Sequence, residues 1–366
     1  MLNSKETPSS KNLSDNRKKK IAVLIAASLA TVSTATVASA IIAYDSFFPR
    51  YERPDYDIYP GMYCYERYNG ELPRETLTVS SDGVDLAAYY YPVNEPKGLV
   101  VVVHGIHAGA DDYLPLIEAM VKGGYAVFAY DVTGNYSSGG KDGVGMCQQL
   151  KDLDSVLSFL SANEPYSAMP RLLIGHSWGG YAAASVLALH GEVKACVCIA
   201  PMHNGYTIMV EKAEEHAGKM AYTVKPIFDA YQKHLFGDYT KYDSVIGINS
   251  TDAHILIAQG VDDTVITPDG LSTTAHLDEI TNPNVSVYYG KGAQGSHTGI
   301  WHSTEAEEYA SRIKEELRLL EESLGRELTR DEKAEFYKTV DHRLYSEVNH
   351  ELVELIFETF EKALNS

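Results

Sequence analysis

Gly175-His176-Ser177-Trp178-Gly179-Gly180 sets a serine between small residues, after an apolar run that reads as a strand and before a small-residue run that reads as a helix. This is the G-x-S-x-G spacing of a nucleophile elbow, a tight strained turn that lifts a hydroxyl onto a helix N-terminus, where negative charge is favoured. The glycines answer a steric need, since backbone and helix must approach closely there. A serine hydroxyl is a poor nucleophile until a base takes its proton. The base is expected late in the chain, after the last strand, where Gly295-Ser296-His297-Thr298-Gly299 stands; His302 is the second choice. A third group must orient the imidazole and stabilise its cation. Gly260-Val261-Asp262-Asp263 follows the preceding strand, and in the G-x-x-D form of such a loop the acid is Asp263, with Asp262 as the fallback. The order Ser177, Asp263, His297 is Ser…Asp…His. A tetrahedral intermediate needs two backbone N–H donors. Trp178, next to the nucleophile, supplies one. Ile106, in His104-Gly105-Ile106-His107 after the third strand, supplies the other. The chemistry is acyl transfer through a covalent acyl-enzyme, which requires no cofactor. His104 with His107, and His297 with His302, lack a carboxylate or cysteine at ligand spacing, so no metal site is expected.

Those residues must be held by a sheet. Glu75–Ser80 and Val84–Tyr91 alternate apolar and polar residues around Asp82-Gly83, a hairpin signal. Strands are then predicted at 98–103, 125–131, 171–174, 193–200, 254–258 and 285–289. Helices are predicted between them at 113–122, 146–160, 178–189 and near 268–277. Strand–helix alternation means parallel pairing with crossover helices, so the fold class is α/β, a doubly wound sheet with an antiparallel start. Residues 203–249 are too long for a simple crossover and carry scattered aromatics, which predicts a small helical lid. Residues 303–366 are predicted as a two-helix tail. Thr304 with Glu307 and Thr329 with Glu332 stand at capping-box spacing, Gly325 lies between the helices, and an apolar stripe (Leu352, Leu355, Ile356, Phe360) needs a partner surface.

These pieces resemble the α/β-hydrolase superfamily, and within it the serine-aminopeptidase-like and prolyl-oligopeptidase-like bacterial hydrolases. The resemblance runs from about Glu75 to Trp301. It rests on His104-Gly105, the Asp131-Val132-Thr133-Gly134 turn, the elbow, the acid loop and the histidine loop. It implies an α/β-hydrolase fold and hydrolysis of a carboxylic ester or similar acyl bond. The catalytic residues would be Ser177, His297 and Asp263, with Ile106 and Trp178 as the oxyanion hole. The turn more often reads D-x-R-G in the family, and Thr133 replaces the arginine here. The same triad would serve an aminopeptidase, for which Glu211, Glu214 and Glu215 in the lid could hold a substrate ammonium, or an acyltransferase. A membrane-tethered, non-catalytic binding module on this fold would ordinarily lack a triad member, and all three are present.

Net charge is −19, which repels phosphate backbones and excludes nucleic acid as a partner. Cys64, Cys147, Cys196 and Cys198 show no zinc-ligand or C-x-x-C spacing. Cys196 and Cys198 read as buried thiols on one face of a strand, and a Cys64–Cys147 disulfide stays open. Residues 1–20 are polar and end in Arg17-Lys18-Lys19-Lys20, after which 21–43 runs for 23 residues without a charge. As a helix this reaches ~35 Å, enough to span a bilayer with the basic end inside. Ala38-Ser39-Ala40 also fits a signal-peptide cleavage site. Either a single-pass anchor or a secreted chain is expected, with the catalytic part outside. A Tyr- and Pro-rich spacer at 44–74 leads into the domain at 75–302.

Overall fold

The computed structural model describes residues 36–61, 64–68, 72–205 and 221–366, with Met209, Glu214 and Gly218 between them. Residues 36–45 form helix α1. The hairpin follows as β1 (Glu75–Ser81) and β2 (Val84–Tyr91). Asp82 and Gly83 both take positive φ (48° and 81°), the conformation whose twist matches the flanking strands. Then come β3 (Leu99–Val103), α2 (Leu114–Lys122), β4 (Ala126–Tyr130), α3 (Gln148–Ala162), β5 (Arg171–His176), α4 (Trp178–Ser185) and β6 (Val193–Ile199). After β6 stand α5 (Ala221–Phe236), α6 (Ser244–Asn249), β7 (His254–Gly260) and β8 (Val285–Gly290).

The eight strands form one sheet in the order β1-β2-β4-β3-β5-β6-β7-β8. The β1–β2 and β2–β4 pairs are antiparallel and every other pair is parallel. β3 (LVVVV) and β4 (AVFAY) are buried at every position, as strands covered on both faces must be. One face packs Leu150, Leu153 and Leu157 of α3 with Ala182 and Ala183 of α4. The other packs Leu114, Ile117 and Met120 of α2 with Leu352, Ile356 and Phe360 of the last helix, so the apolar stripe of the tail covers the sheet.

The tail departs from expectation. It holds four helices, α7 (Thr304–Leu324), α8 (Arg330–Tyr337), α9 (His342–Tyr345) and α10 (His350–Asn365). Asp341 accepts from the N–H groups of Arg343 and Leu344, and Asn349 from that of Leu352, so each restarts a helix inside a stretch that reads as one. Ser303, not Thr304, caps α7. The Thr329–Glu332 capping box is present, and Gly325 closes α7 at φ 66°. The helix expected near 268–277 is a 3₁₀ turn at Thr273–Glu279, and α4 gives way to 3₁₀ geometry at Val186–Ala188.

Among the described residues no helix is long and apolar enough to cross a membrane; most of the segment 21–43 lies outside them. All four cysteines are buried free thiols, and the sulfurs of Cys196 and Cys198 lie 3.5 Å apart. At Thr133, the position of the arginine in a D-x-R-G turn, no cation is used among the described residues. The buried Asp152 carboxylate instead accepts from the Thr133 N–H and hydroxyl, the Ser81 hydroxyl and the Gln148 amide.

Candidate active site

Because β5, β7 and β8 run parallel, the loops leaving their C-terminal ends meet at one edge of the sheet, the edge where α/β proteins build their sites. Ser177 turns out of β5 at φ 57° and ψ −116°, a strained conformation for a residue with a side chain. A Cβ on Gly175 would fall 2.2 Å from the Gly179 carbonyl oxygen, and one on Gly179 would fall 2.2 Å from that of Val103. The steric reading of the elbow glycines therefore has a direct physical cause.

The structure brings Ser177, His297 and Asp263 together. His297 Nε2 lies 2.9 Å from Ser177 Oγ, and His297 Nδ1 lies 2.7 Å from Asp263 Oδ2. Asp263 Oδ1 accepts from the N–H groups of Val265 and Ile266, and Oδ2 accepts also from the Gln259 amide. Burial raises the pKa of this carboxyl, but the hydrogen bonds from His297 and the two N–H groups outweigh it and hold the group below its ordinary value. Asp262 is turned away. Its N–H donates to the Gly295 carbonyl and so ties the acid loop to the histidine loop. A Cβ on Gly260 would sit 2.2 Å from that same oxygen. His302 pairs with Glu307 at 2.8 Å, away from the serine.

Among the described residues, neither the Ile106 N–H nor the Trp178 N–H has an acceptor, as donors reserved for a developing oxyanion require. The loop that presents Ile106 is braced from both sides. His104 accepts the Val132 N–H on Nε2 and so donates from Nδ1 to the Gly105 carbonyl; burial pushes its pKa down to about 4, which keeps it neutral. On the other side the Gly105 N–H donates to the Tyr113 hydroxyl at 3.0 Å, and that hydroxyl donates to His176 Nδ1 at 2.7 Å. His176 Nε2 in turn donates to the His297 carbonyl at 3.1 Å. Burial pushes His176 down to about 3, so this tautomer carries no charge. One buried chain thus links the oxyanion loop, the elbow and the histidine loop. Tyr113 and Gln259 tie these loops together by hydrogen bonds that no local motif announces. Tyr113→Phe strands two buried polar groups, each costing about 1–3 kcal/mol. The expected result is a kcat about 10–100-fold lower with KM little changed, read by steady-state kinetics; a KM effect alone would place Tyr113 in substrate binding instead.

A cavity of about 580 Å³ opens over Ser177 and is mostly apolar. Phe47, Phe48, Met146, Trp178, Met202 and Met209 line it on the α3–α4 side of the sheet. Tyr59 and Pro60, with Glu307, Lys314 and Tyr345 of the tail, line it elsewhere. Asp112 also borders it. Its Oδ2 accepts from the Gly109 N–H and the Tyr136 hydroxyl, while Oδ1 is buried without a donor among the described residues. Burial raises this carboxyl to about 7. An unfolded aspartate titrates near ~3.9. Between those values the folded chain keeps a proton that the unfolded chain has lost, so stability present at acid pH is lost as pH rises to neutrality. Asp112→Asn keeps an acceptor for both donors and removes that loss. Its melting temperature is expected to match wild type near pH 4 and exceed it at pH 8, and a difference constant with pH would refute this.

The sheet order, the crossover helices and the Ser177–His297–Asp263 arrangement at the strand ends define an α/β-hydrolase fold. Residues 94–262 match the family model described as serine aminopeptidase, S33. The chain is 30% identical over 140 residues to a monoacylglycerol lipase of Mycolicibacterium smegmatis, which covers 36% of this chain and 48% of that one. It is 30% identical over 126 residues to the monoglyceride lipase of Homo sapiens, covering 34% and 42%. The matching stretches thus span less than half the length of these curated relatives. An esterase of Pyrococcus furiosus superposes with TM-score 0.51 at 21% identity, over 69% of this chain and 92% of that one. A second crystal form of it gives TM-score 0.52 at 20% identity, over 70% and 96%. That likeness is one of fold.

Proposed function

We propose that this chain is a serine hydrolase that cleaves carboxylic esters with an apolar acyl group. The observation that carries the reading is the unbroken hydrogen-bond chain Ser177–His297–Asp263 at the floor of a mostly apolar cavity. Ser177 Oγ attacks the ester carbonyl while His297 Nε2 takes its proton. Asp263 holds the Nδ1–H tautomer and stabilises the imidazolium. The N–H groups of Ile106 and Trp178 bind the oxyanion. His297 then gives the proton to the leaving alcohol, and a water activated by His297 releases the acid and regenerates the serine. No cofactor enters these steps. The names of the matched relatives, a monoacylglycerol lipase and a monoglyceride lipase, support an ester substrate.

A serine aminopeptidase is the second reading, favoured by the description of the matching family. Of its expected ammonium ligands, Glu214 accepts from the Tyr222 hydroxyl, and Glu211 and Glu215 lie outside the described residues. The basic residues before the uncharged run 21–43 support a membrane tether with the catalytic domain outside.

One experiment addresses all three points. Washed membranes and soluble fractions from cells expressing the full chain are each divided; one portion is labelled with a fluorophosphonate probe, and the unlabelled portion is offered acyl esters and aminoacyl amides. Membranes that take the label in one portion and cleave esters in the other support the proposal. Cleavage confined to amides moves the assignment to the aminopeptidase. Label in the soluble fraction alone overturns the tether. A folded chain without label overturns the activated serine and favours a binding module.

A further inference from the structure

The matched stretch begins at residue 94, yet one wall of the cavity comes from residues 47 and 48. That segment is locked to the domain. Tyr44 is fully buried, with ring centroids 5.3 Å from Phe48, 5.9 Å from Phe228 and 5.3 Å from Tyr231, and its hydroxyl accepts the Met146 N–H at 3.2 Å. A Cβ on Gly145 would come 2.3 Å from that hydroxyl, so the opposing loop is shaped around the tyrosine. Backbone hydrogen bonds run from Gly143 N–H to the Phe48 carbonyl, from Tyr51 N–H to that of Gly134, and from Tyr136 N–H to that of Tyr51. The Arg50 guanidinium donates to the carbonyls of Tyr136, Ser138 and Gly140.

On this strap the Phe48 ring is 3% exposed and lies 6.3 Å from Trp178, the residue that follows the nucleophile. Trp178 is itself fixed by its indole N–H on the Met146 carbonyl at 2.7 Å. Phe47 is 39% exposed and borders the same cavity. We propose that Phe47 and Phe48 are specificity residues. Phe48 closes the depth of the acyl site beside Trp178, and Phe47 narrows its mouth. Acyl-chain length is then set by a strap that lies outside the catalytic loops, and the proposal rests on the ester reading above.

The test uses the full chain in detergent with p-nitrophenyl esters from acetate to laurate, active sites being counted by fluorophosphonate labelling. Phe48→Ala is expected to raise the long-to-short ratio of kcat/KM about tenfold, the scale of a gained or lost methylene or two in an apolar pocket. Phe48 is also a core residue, so the decisive variants are at the half-exposed Phe47. Phe47→Ala shifts the profile toward longer chains, and Phe47→Trp lowers the long-to-short ratio of kcat/KM. Length profiles parallel to wild type in both Phe47 variants overturn the proposal. A wild type that labels but cleaves none of the esters overturns the ester reading instead, so the two failures are separable.

Discussion

Ser177→Ala is expected to abolish fluorophosphonate labelling and to lower kcat for a cleaved ester by about 10⁵–10⁶-fold. The residual rate comes from oxyanion binding and substrate positioning, which survive the loss of the attacking atom. His297→Ala is expected to fall equally far, and the double variant no further, because the two side chains act as one device and their losses do not add. Structure gives little reason for a folding effect. Ser177 Oγ has its hydrogen bond with His297, and alanine meets the same φ of 57° that serine already tolerates. Melting temperatures near wild type alongside the lost rate would assign the effect to chemistry. A rate that survives Ser177→Ala would remove the acyl-enzyme from the mechanism.

The second large effect separates two adjacent aspartates. Asp263→Asn is expected to lower kcat about 10⁴-fold, whereas Asp262→Asn changes it by no more than about threefold (within the ~0.5 kcal/mol typical of substitutions away from special features). The geometry dictates the size. Oδ1 of Asp263 accepts two backbone N–H groups, so an asparagine must place its carbonyl oxygen there and its amide nitrogen at the Oδ2 position. That nitrogen then faces the Gln259 amide, another donor, and His297 Nδ1. The imidazole answers by moving its proton to Nε2, where it can no longer accept from Ser177. Asp262 offers its backbone N–H to Gly295, a bond that asparagine keeps. Comparable losses at the two positions would mean that the acid loop adopts another register in the working protein.

Much of this was legible in the sequence, for reasons of chemistry and period. Ser177, Asp263 and His297 stand in loops whose neighbours are glycines because the backbones cross within van der Waals contact, so spacing and residue type travel together. Strands such as β3 and β4 betray double-sided burial by their uniform apolar content. Other features had no local signal. The Tyr113–His176 bond joins residues 63 apart, and nothing near Tyr113 marks its hydroxyl as special. Gln259 stands one residue before the end of β7 and looks like a strand terminus until Asp263 folds back onto it. The tail reads as two helices because Asp341 and Asn349 look like ordinary polar residues within an amphipathic stretch, although each caps a new helix. The strap has no local signal for its role: Tyr44, Phe48 and Tyr51 stand at i, i+4 and i+7, the spacing of a helix face, but helix α1 ends at residue 45 and their partners are rings and carbonyls around 134–146 and 228–231.

The position of Tyr44 bears on how the polypeptide matures. Signal-peptide processing after Ala40 would leave a new amino terminus three residues ahead of that ring, inside helix α1, with the plug formed by Tyr44 and Phe48 still attached. A retained anchor would keep the same plug and place it only a few residues from the bilayer. A fragment trimmed to residue 45, by a protease or by an expression vector, would instead leave an unfilled space among Phe48, Phe228 and Tyr231, next to the wall of the cavity over Ser177. The practical boundary of the folded unit therefore lies some thirty residues upstream of its first strand.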